Sequence, residues 1–287
     1  MRPGRNSSHA TIPGEPAAAR VGGMGHTPND GTAAAGITLH IQDAVATIAI
    51  DLPQPKNSFR IENVQALGAQ LDAALAGGAR CVLLRGAGPV FSAGWDIGAI
   101  DPAADDPMAL IGEVVGPLCR RLRALPVPTI AAVAGPALGF GFGLALCCDI
   151  VLAEEDALFG SPFRHIGMVP DTGTHHILLS RVGFSMASEL IYSGRLVNGS
   201  EAAALRLVNR AVTKGALADE ALALARTIAS GPTEAFRLSK EILLQGGDFD
   251  SMLAHEARQL RQVFATDDLQ EGIRAFQQRR RPVFSGH

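Results

Sequence analysis

A glycine-rich turn is the segment whose residue types best suit catalysis. Residues 135–143 read Gly-Pro-Ala-Leu-Gly-Phe-Gly-Phe-Gly, between the apolar runs 129–134 and 144–148. A backbone with so few side chains can bring its N–H groups against a ligand carbonyl and stabilise a developing oxyanion. The turn contains no acid, so proton transfer requires a general acid or base from another segment. Asp171, in Met-Val-Pro-Asp-Thr-Gly-Thr at 168–174, is the best candidate.

A second glycine-containing loop, at 91–97, follows a predicted strand. Ligands of open α/β sheets bind at the carboxyl ends of strands, where such loops converge. We therefore expect backbone N–H groups from both loops to hold one carbonyl oxygen. Either loop alone is also explained by a tight turn or by close helix packing, because both select glycine. Asp171 has an alternative role too, as the N-cap of a helix over 174–181.

Composition excludes several classes of protein. The 287 residues are 47% hydrophobic and carry a formal net charge of −3, which fits neither a disordered chain nor a basic nucleic-acid binder. No apolar run approaches the roughly 18–20 residues of a membrane span. No set of His, Cys and carboxylates has metal-ligand spacing, so we expect no metal. The four cysteines lie in apolar segments, which favours reduced, buried thiols and a cytoplasmic protein.

Alternating strand and helix patterns predict an α/β fold. Two β-rich runs within 37–52 favour a hairpin, and helical spacing over 61–76 ends at two glycines. Further strands are predicted at 81–85, 129–134, 150–153 and 157–159, and helices at 107–124, 141–148 and four later segments. Strands that alternate with helices imply crossover connections and a largely parallel, buried sheet. We predict three regions, which are a disordered N-terminal tail at 1–36, an α/β core at 37–230 and a helical C-terminal region at 231–287.

Several motifs, taken together and in order, resemble the crotonase superfamily of enoyl-CoA hydratases and isomerases. The matching segments are 55–59, 91–97, 128–139, 148–150, 159–160 and 265–268. The resemblance implies a crotonase-like spiral of ββα units over the core and a helical C-terminal region that mediates trimerisation. It implies an acyl-CoA thioester as substrate, with coenzyme A as part of that substrate and no separate cofactor. It also implies a homotrimer or a dimer of trimers, with neither nucleic acid nor membrane as a partner.

The resemblance also assigns catalytic roles. By motif position, the backbone N–H groups of Trp95 and Phe140 form the family's oxyanion hole. Family hydratases carry two glutamates at the positions of Gly143 and Phe163, and neither of these residues can exchange a proton. Ordinary hydration is therefore not expected. Some isomerases of the superfamily instead place a single acid at the position of Asp171.

The same resemblance places residues around the substrate. Lys56 and Arg279 would lie near the CoA phosphates, with Arg279 contributed by a neighbouring subunit, and the adenine would face the backbone of Asp96 and Ile97. The predicted acyl-pocket residues are Phe142, Phe163 and His175. A solvated side chain is an alternative explanation for His175. An apolar pocket of this kind would raise the pKa of Asp171.

The leading hypothesis is an acyl-CoA isomerase that shifts a double bond from position 3 to position 2. Asp171 would move the proton while an enolate is held in the oxyanion hole. One alternative is an atypical enoyl-CoA hydratase or acyl-CoA hydrolase of the same superfamily, in which Asp171 activates water. Another, from a different class, is a CoA-binding subunit without turnover, which the two missing glutamates favour.

Overall fold

A computed structural model describes residues 36–287, so the predicted disordered tail lies, apart from Gly36, outside the described residues. The strands are β1 (Ile37–Gln42), β2 (Val45–Ile50), β3 (Ser58–Phe59), β4 (Cys81–Gly86), β5 (Gly94–Trp95), β6 (Thr129–Val133), β7 (Pro136–Leu138), β8 (Ile150–Glu154), β9 (Leu158–Gly160), β10 (Val197–Asn198) and β11 (Arg210–Val212). The helices are α1 (Ile61–Ala76), α2 (Pro107–Ala109), α3 (Gly116–Arg123), α4 (Phe140–Cys147), α5 (Thr174–Ser193), α6 (Gly199–Ala204), α7 (Leu217–Ala229), α8 (Thr233–Gln245), α9 (Phe249–Val263) and α10 (Asp267–Gln277).

A six-stranded sheet in the order β1-β2-β4-β6-β8-β11 lies at the centre of the fold. Strands β1 and β2 form the predicted antiparallel hairpin, and the other neighbours are parallel. The carboxyl ends of parallel strands, and the loops that follow them, lie at one edge of a sheet. This edge therefore carries residues 91–97 after β4 and the glycine-rich turn after β6.

Four strand–strand–helix units generate this arrangement. The first strand of each unit lies in the central sheet and the second lies in a smaller sheet, in the series β2-β3-α1, β4-β5-α2/α3, β6-β7-α4 and β8-β9-α5. The second strands pair as β3 with β5 and as β7 with β9. Strand β10 joins the latter pair in a three-stranded sheet with the order β10-β9-β7. The predicted α/β spiral of ββα units is therefore confirmed.

The central sheet is covered on both faces, as the apolar strands predict. In β4, Val82 and Leu84 belong to the larger hydrophobic cluster, with residues of α1, α3, α4 and α5. Cys81 and Leu83 alternate with them and pack in a second cluster with α7. Successive side chains of a strand point to opposite faces, so an apolar run is required where both faces are buried.

A partly buried ion pair joins α8 to the central sheet. Lys240 of α8 lies with its Nζ 2.8 Å from Oδ2 of Asp149, and the backbone N–H and hydroxyl of Thr129 donate to the same oxygen. Asp149 thus has a structural role, because it joins α8 to the residues that begin β6. The part of the C-terminal region in trimerisation stays a prediction.

Two helices differ from the sequence-based prediction. The helix expected over 107–124 contains a π-helical turn, Leu110–Val115, between α2 and α3. The helix expected over 174–181 continues as α5 to Ser193, with a break at Gly183, where φ is +74°. Because glycine adopts positive φ without a Cβ penalty, one helical segment ends there and a second begins, so α5 consists of two helical segments joined at a kink.

Candidate active site

Ser92 and Gly141 bring the two glycine loops into direct contact. The Ser92 N–H donates to the Pro136 carbonyl at 3.0 Å, and its own carbonyl accepts from the Leu138 N–H at 3.0 Å. A β-carbon built on Gly141 would lie 2.6 Å from the Ser92 carbonyl oxygen and 2.7 Å from the Ser92 Cβ. Only glycine therefore allows α4 to pack this closely on the 91–97 loop.

The predicted oxyanion donors lie at this contact. Gly94 has φ +104°, and a β-carbon on it would lie 3.4 Å from the backbone nitrogen of Phe140. Trp95 follows in the chain, and Phe140 is the first residue of α4, where backbone N–H groups have no intrahelical acceptor. The Phe140 and Trp95 rings meet edge to face at 5.8 Å. The structure thus brings together the two segments that carry the predicted N–H pair.

Asn57 is a positioning residue whose role the sequence reasoning missed. It is buried with φ +55°, and its Oδ1 accepts from the Leu52 N–H at 2.9 Å. Its Nδ2 donates to the carbonyls of Ile50 at 3.0 Å and Val90 at 2.9 Å. These bonds hold the loop before β3 against the loop before β5. The signal was an Asn in the 55–59 motif, but only the fold reveals its acceptors.

Asp171 is a partly buried carboxyl near the glycine-rich turn at 135–143, the predicted oxyanion turn. Burial raises its pKa above the ordinary value, although the Thr172 hydroxyl, which donates to Oδ1 at 2.6 Å, opposes part of this rise. Within residues 36–287, no Lys, Arg or His forms an ion pair with it. A carboxyl without a cation and partly removed from water is suited to accept a proton.

The alternative role of Asp171 as a helix N-cap is wrong. Helix α5 begins at Thr174 with Gly173 as its N-cap, and no side chain makes a cap hydrogen bond there. Asp171 contributes only its backbone carbonyl, which accepts from the Thr174 N–H at 2.9 Å. Its carboxyl is therefore not used to begin the helix.

Gly143 connects the acid to the oxyanion turn. A β-carbon on Gly143 would lie 2.5 Å from the Cβ of Thr172 and 2.7 Å from its Cγ2. Gly143 and Phe140 are three residues apart in α4 and so lie on the same face of the helix. The residue next to Asp171 therefore packs one helical turn from a predicted oxyanion donor.

The predicted acyl-pocket residues have different surroundings. Phe163 is buried, and its Cζ would lie 3.3 Å from a β-carbon on Gly139, so its ring packs beside the oxyanion turn. Phe142 is buried in the core, where its ring centroid lies 6.3 Å from that of Phe159. His175 is exposed near the beginning of α5. Their contact with an acyl chain stays a prediction.

Three of the four predicted CoA-binding residues lie next to the two-stranded sheet of β3 and β5. The Lys56 carbonyl accepts from the Ala93 N–H at 2.9 Å, which places this exposed lysine beside β5. Asp96 and Ile97 follow β5, and Arg60 Nη2 lies 2.6 Å from the Asp96 carboxylate. Arg279 follows α10 in the chain. Their role in binding CoA stays a prediction.

A separate cavity of 490 Å³ lies at the other end of α4, against α5 and α8. Two of its cations already have protein partners. Arg181 donates to the carbonyls of Leu207 at 2.7 Å and Leu146 at 3.1 Å, and Lys240 pairs with Asp149. We assign this cavity no ligand.

No helix within residues 36–287 is long and apolar enough to cross a membrane. The same residues contain no group of three or more His, Cys, Asp or Glu side chains arranged to hold a metal ion.

Comparisons with known proteins identify the family of this chain. The family profile described as Enoyl-CoA hydratase/isomerase matches residues 40–287. The putative enoyl-CoA hydratase/isomerase YhaR of Bacillus subtilis is 36% identical over 244 residues, covering 84% of this chain and 95% of YhaR. The 1,2-epoxyphenylacetyl-CoA isomerase of Escherichia coli is 34% identical over 261 residues, covering 87% of this chain and 98% of that protein.

A solved structure shows the same fold. The crystal structure described as enoyl-CoA hydratase subunit I from Geobacillus kaustophilus superposes with a TM-score of 0.82 at 33% identity, covering 88% of this chain and 98% of that one. Its fold, together with the family match over most of the sequence, agrees with the spiral of ββα units described above. The chain therefore belongs to the enoyl-CoA hydratase/isomerase family, within the crotonase superfamily.

Proposed function

We propose that the protein is an acyl-CoA isomerase that converts a 3-enoyl-CoA thioester into the 2-enoyl isomer. The observation that carries the proposal is the lone, partly buried Asp171 carboxyl with a raised pKa, next to the turn that carries the oxyanion donors. The positions of the two family glutamates hold Gly143 and Phe163. The site thus has one proton carrier, which is what a 1,3-proton shift requires.

The proposed reaction needs one base and one oxyanion hole. The Asp171 carboxylate takes a proton from C2, and the electrons of that C–H bond move into the thioester as an enolate. The N–H groups of Trp95 and Phe140 hold the enolate oxygen, and removing one such donor typically costs about 2.7–4 kcal/mol of transition-state stabilisation. The protonated Asp171 then returns the proton at C4, and the double bond forms between C2 and C3. No atom is gained or lost, and no cofactor is needed besides the CoA of the substrate.

The surroundings of residue 143 support isomerisation over family-type hydration. The Thr172 side chain occupies the volume that a side chain at 143 would need. A glutamate could enter there only if Thr172 moved, so the absence of this acid is part of the packing. The names of the relatives include both hydratases and isomerases, so the reaction must be assigned from these site residues.

The rest of the complex follows from the same proposal. Lys56, the backbone of Asp96 and Ile97, and Arg279 of a neighbouring subunit bind the CoA moiety, in a homotrimer or a dimer of trimers. A guanidinium suits phosphate because its planar fork donates two parallel hydrogen bonds. Phe142, Phe163 and His175 are the proposed neighbours of the acyl chain.

The test is product analysis with two substrates. Purified protein is incubated with a 3-enoyl-CoA and, separately, with a 2-enoyl-CoA, and products are followed by mass and by the ultraviolet absorbance of the conjugated thioester. We expect isomerisation without a change of mass, lost in Asp171→Asn and retained in the matched surface control Asp43→Asn. Addition of one water would support the hydratase alternative. Binding without turnover would support the CoA-binding subunit, and isomerisation that survives in Asp171→Asn would contradict the site assignment.

A further inference from the structure

Thr172 has a backbone conformation that its side chain disfavours. Its φ is +57°, a left-handed value that is uncommon for residues other than glycine and a genuine outlier for a β-branched residue. Gly173, with φ +72°, is the next residue and has no such conflict. Strained backbone of this kind is retained where the surrounding structure determines it, often at functional sites. The Thr172 side chain must therefore make contacts that a glycine at 172 would not.

Both branches of this side chain are in use. The hydroxyl donates to Asp171 Oδ1 at 2.6 Å. The Cβ and methyl carbon fill the space beside Gly143, at 2.5 and 2.7 Å from where a β-carbon of residue 143 would lie. Thr172 is 3% exposed, so water does not compete freely for its hydroxyl. Because the methyl group is held against α4, the side chain has little freedom to turn its hydroxyl away from the carboxyl.

We propose that Thr172 is a positioning residue that anchors the Asp171 carboxyl to α4, and so to the oxyanion turn, by its hydrogen bond and its packing on Gly143. This inference rests on the proposed isomerisation for its catalytic meaning. A base that takes a proton at C2 and returns it at C4 must reach two carbons from one anchored position. Because the hydroxyl engages Oδ1, we expect Oδ2 to be the oxygen that carries the proton.

The hydrogen bond has a consequence for the charge of Asp171. It favours the ionised carboxyl and opposes the effect of burial, so its loss raises the pKa of Asp171 further. The neighbouring helices carry two thiols, Cys119 on α3 and Cys147 on α4, and the arginines Arg120 and Arg123 on α3 and Arg181 on α5. The Cys147 Sγ lies 3.9 Å from the Thr172 carbonyl oxygen. The hydrogen bond with Cys147, together with burial, raises the pKa of Cys119. On α5, His175 is exposed.

The test uses three variants of similar size. Thr172→Val keeps the β-branched shape and removes the hydroxyl, whereas Thr172→Ser keeps the hydroxyl and removes the methyl group. Thr174→Val is the matched control, since the Thr174 hydroxyl is also buried but has no hydrogen-bond partner among the described residues. The Asp171 carboxyl carbon is titrated directly by ¹³C NMR, assigned by comparison with Asp171→Asn, and kcat is measured against pH with a 3-enoyl-CoA.

We expect Thr172→Val to raise the pKa of Asp171, to move the acid limb of the kcat profile to higher pH and to lower kcat roughly tenfold, as for the loss of one hydrogen bond to a charged group. Thr172→Ser should keep the wild-type titration, and Thr174→Val should leave both measurements unchanged. An unaltered Asp171 titration in Thr172→Val, or an equal shift in Thr174→Val, would overturn the proposal. The NMR titration needs no turnover, so it can succeed or fail independently of the isomerase assignment.

Discussion

Gly141→Ala tests whether close packing of α4 on Ser92 builds the oxyanion hole. The new methyl group would lie 2.6 Å from the Ser92 carbonyl oxygen and 2.7 Å from its Cβ, and both atoms are buried. Restoring ordinary contact at 3.4 Å requires the helix or the loop to retreat by about 0.8 Å. That movement separates the segments that carry the Trp95 and Phe140 N–H groups.

The expected loss follows from this displacement. A misplacement of 1 Å can lower a rate by about 10²-fold, and complete loss of one oxyanion donor corresponds to about 10²–10³-fold in kcat. We therefore expect kcat/KM for a 3-enoyl-CoA to fall about 10²-fold. Overpacking should also destabilise the fold by about 1–3 kcal/mol, measured by urea denaturation. The acid limb of the pH–rate profile should not move, because Asp171 is unchanged.

Gly68→Ala is the matched control for this experiment. Gly68 lies inside α1, and the nearest atom to an added β-carbon is Arg121 Nη1 at 3.7 Å, an ordinary contact. This variant should keep full activity and gain about 0.5–1 kcal/mol of stability, since alanine is favoured over glycine in a helix. A folded Gly141→Ala enzyme with wild-type kcat/KM would refute the argument that this contact sets the oxyanion geometry.

Two further predictions concern stability. Asn57→Ala leaves the Leu52 N–H and the Val90 carbonyl without partners. We expect urea denaturation to show that the free energy of unfolding falls by about 1–3 kcal/mol per buried unsatisfied group. Wild-type stability in this variant would show instead that water replaces the amide. For Asp171, the folded pKa is raised, so the wild-type protein gains stability below the unfolded pKa and loses that gain as pH rises through the folded pKa. Asp171→Asn has no carboxyl to titrate, so it does not lose stability over this pH range. The Tm of Asp171→Asn minus the Tm of wild type should therefore increase from acidic to neutral pH. A difference that does not change with pH would contradict a raised pKa.

Local patterns were sufficient for most of the fold. The spacing over 61–76 predicted α1 with its observed bounds, because helical periodicity and the two glycines that follow are properties of neighbouring residues. Apolar runs likewise located β4, β6 and β8. The helix expected over 174–181 ends two residues before the kink at Gly183, beyond which a second helical segment continues to Ser193.

The site was predictable only in part. Asp171 and the two glycine loops were identified from residue type and motif order, since chemistry and turn geometry restrict which residues suit those positions. The roles of Asn57 and Thr172 were not found. Their side chains contact partners that the local sequence does not reveal. Asn57 donates to the Val90 carbonyl, and Thr172 fills the space that a side chain at Gly143 would need.

The sequence by itself determined the order of strands and helices, the two glycine loops and Asp171 as the candidate acid. Only the tertiary structure decided that Gly141 meets Ser92 and that Gly143 meets Thr172, pairs separated by many residues along the chain. Short-range periodicity records which face of an element is buried but not which atoms lie against it. The packing of α4 against both loops is a long-range property, and through the contact of Thr172 with Gly143 it brings the segment that carries Asp171 against α4.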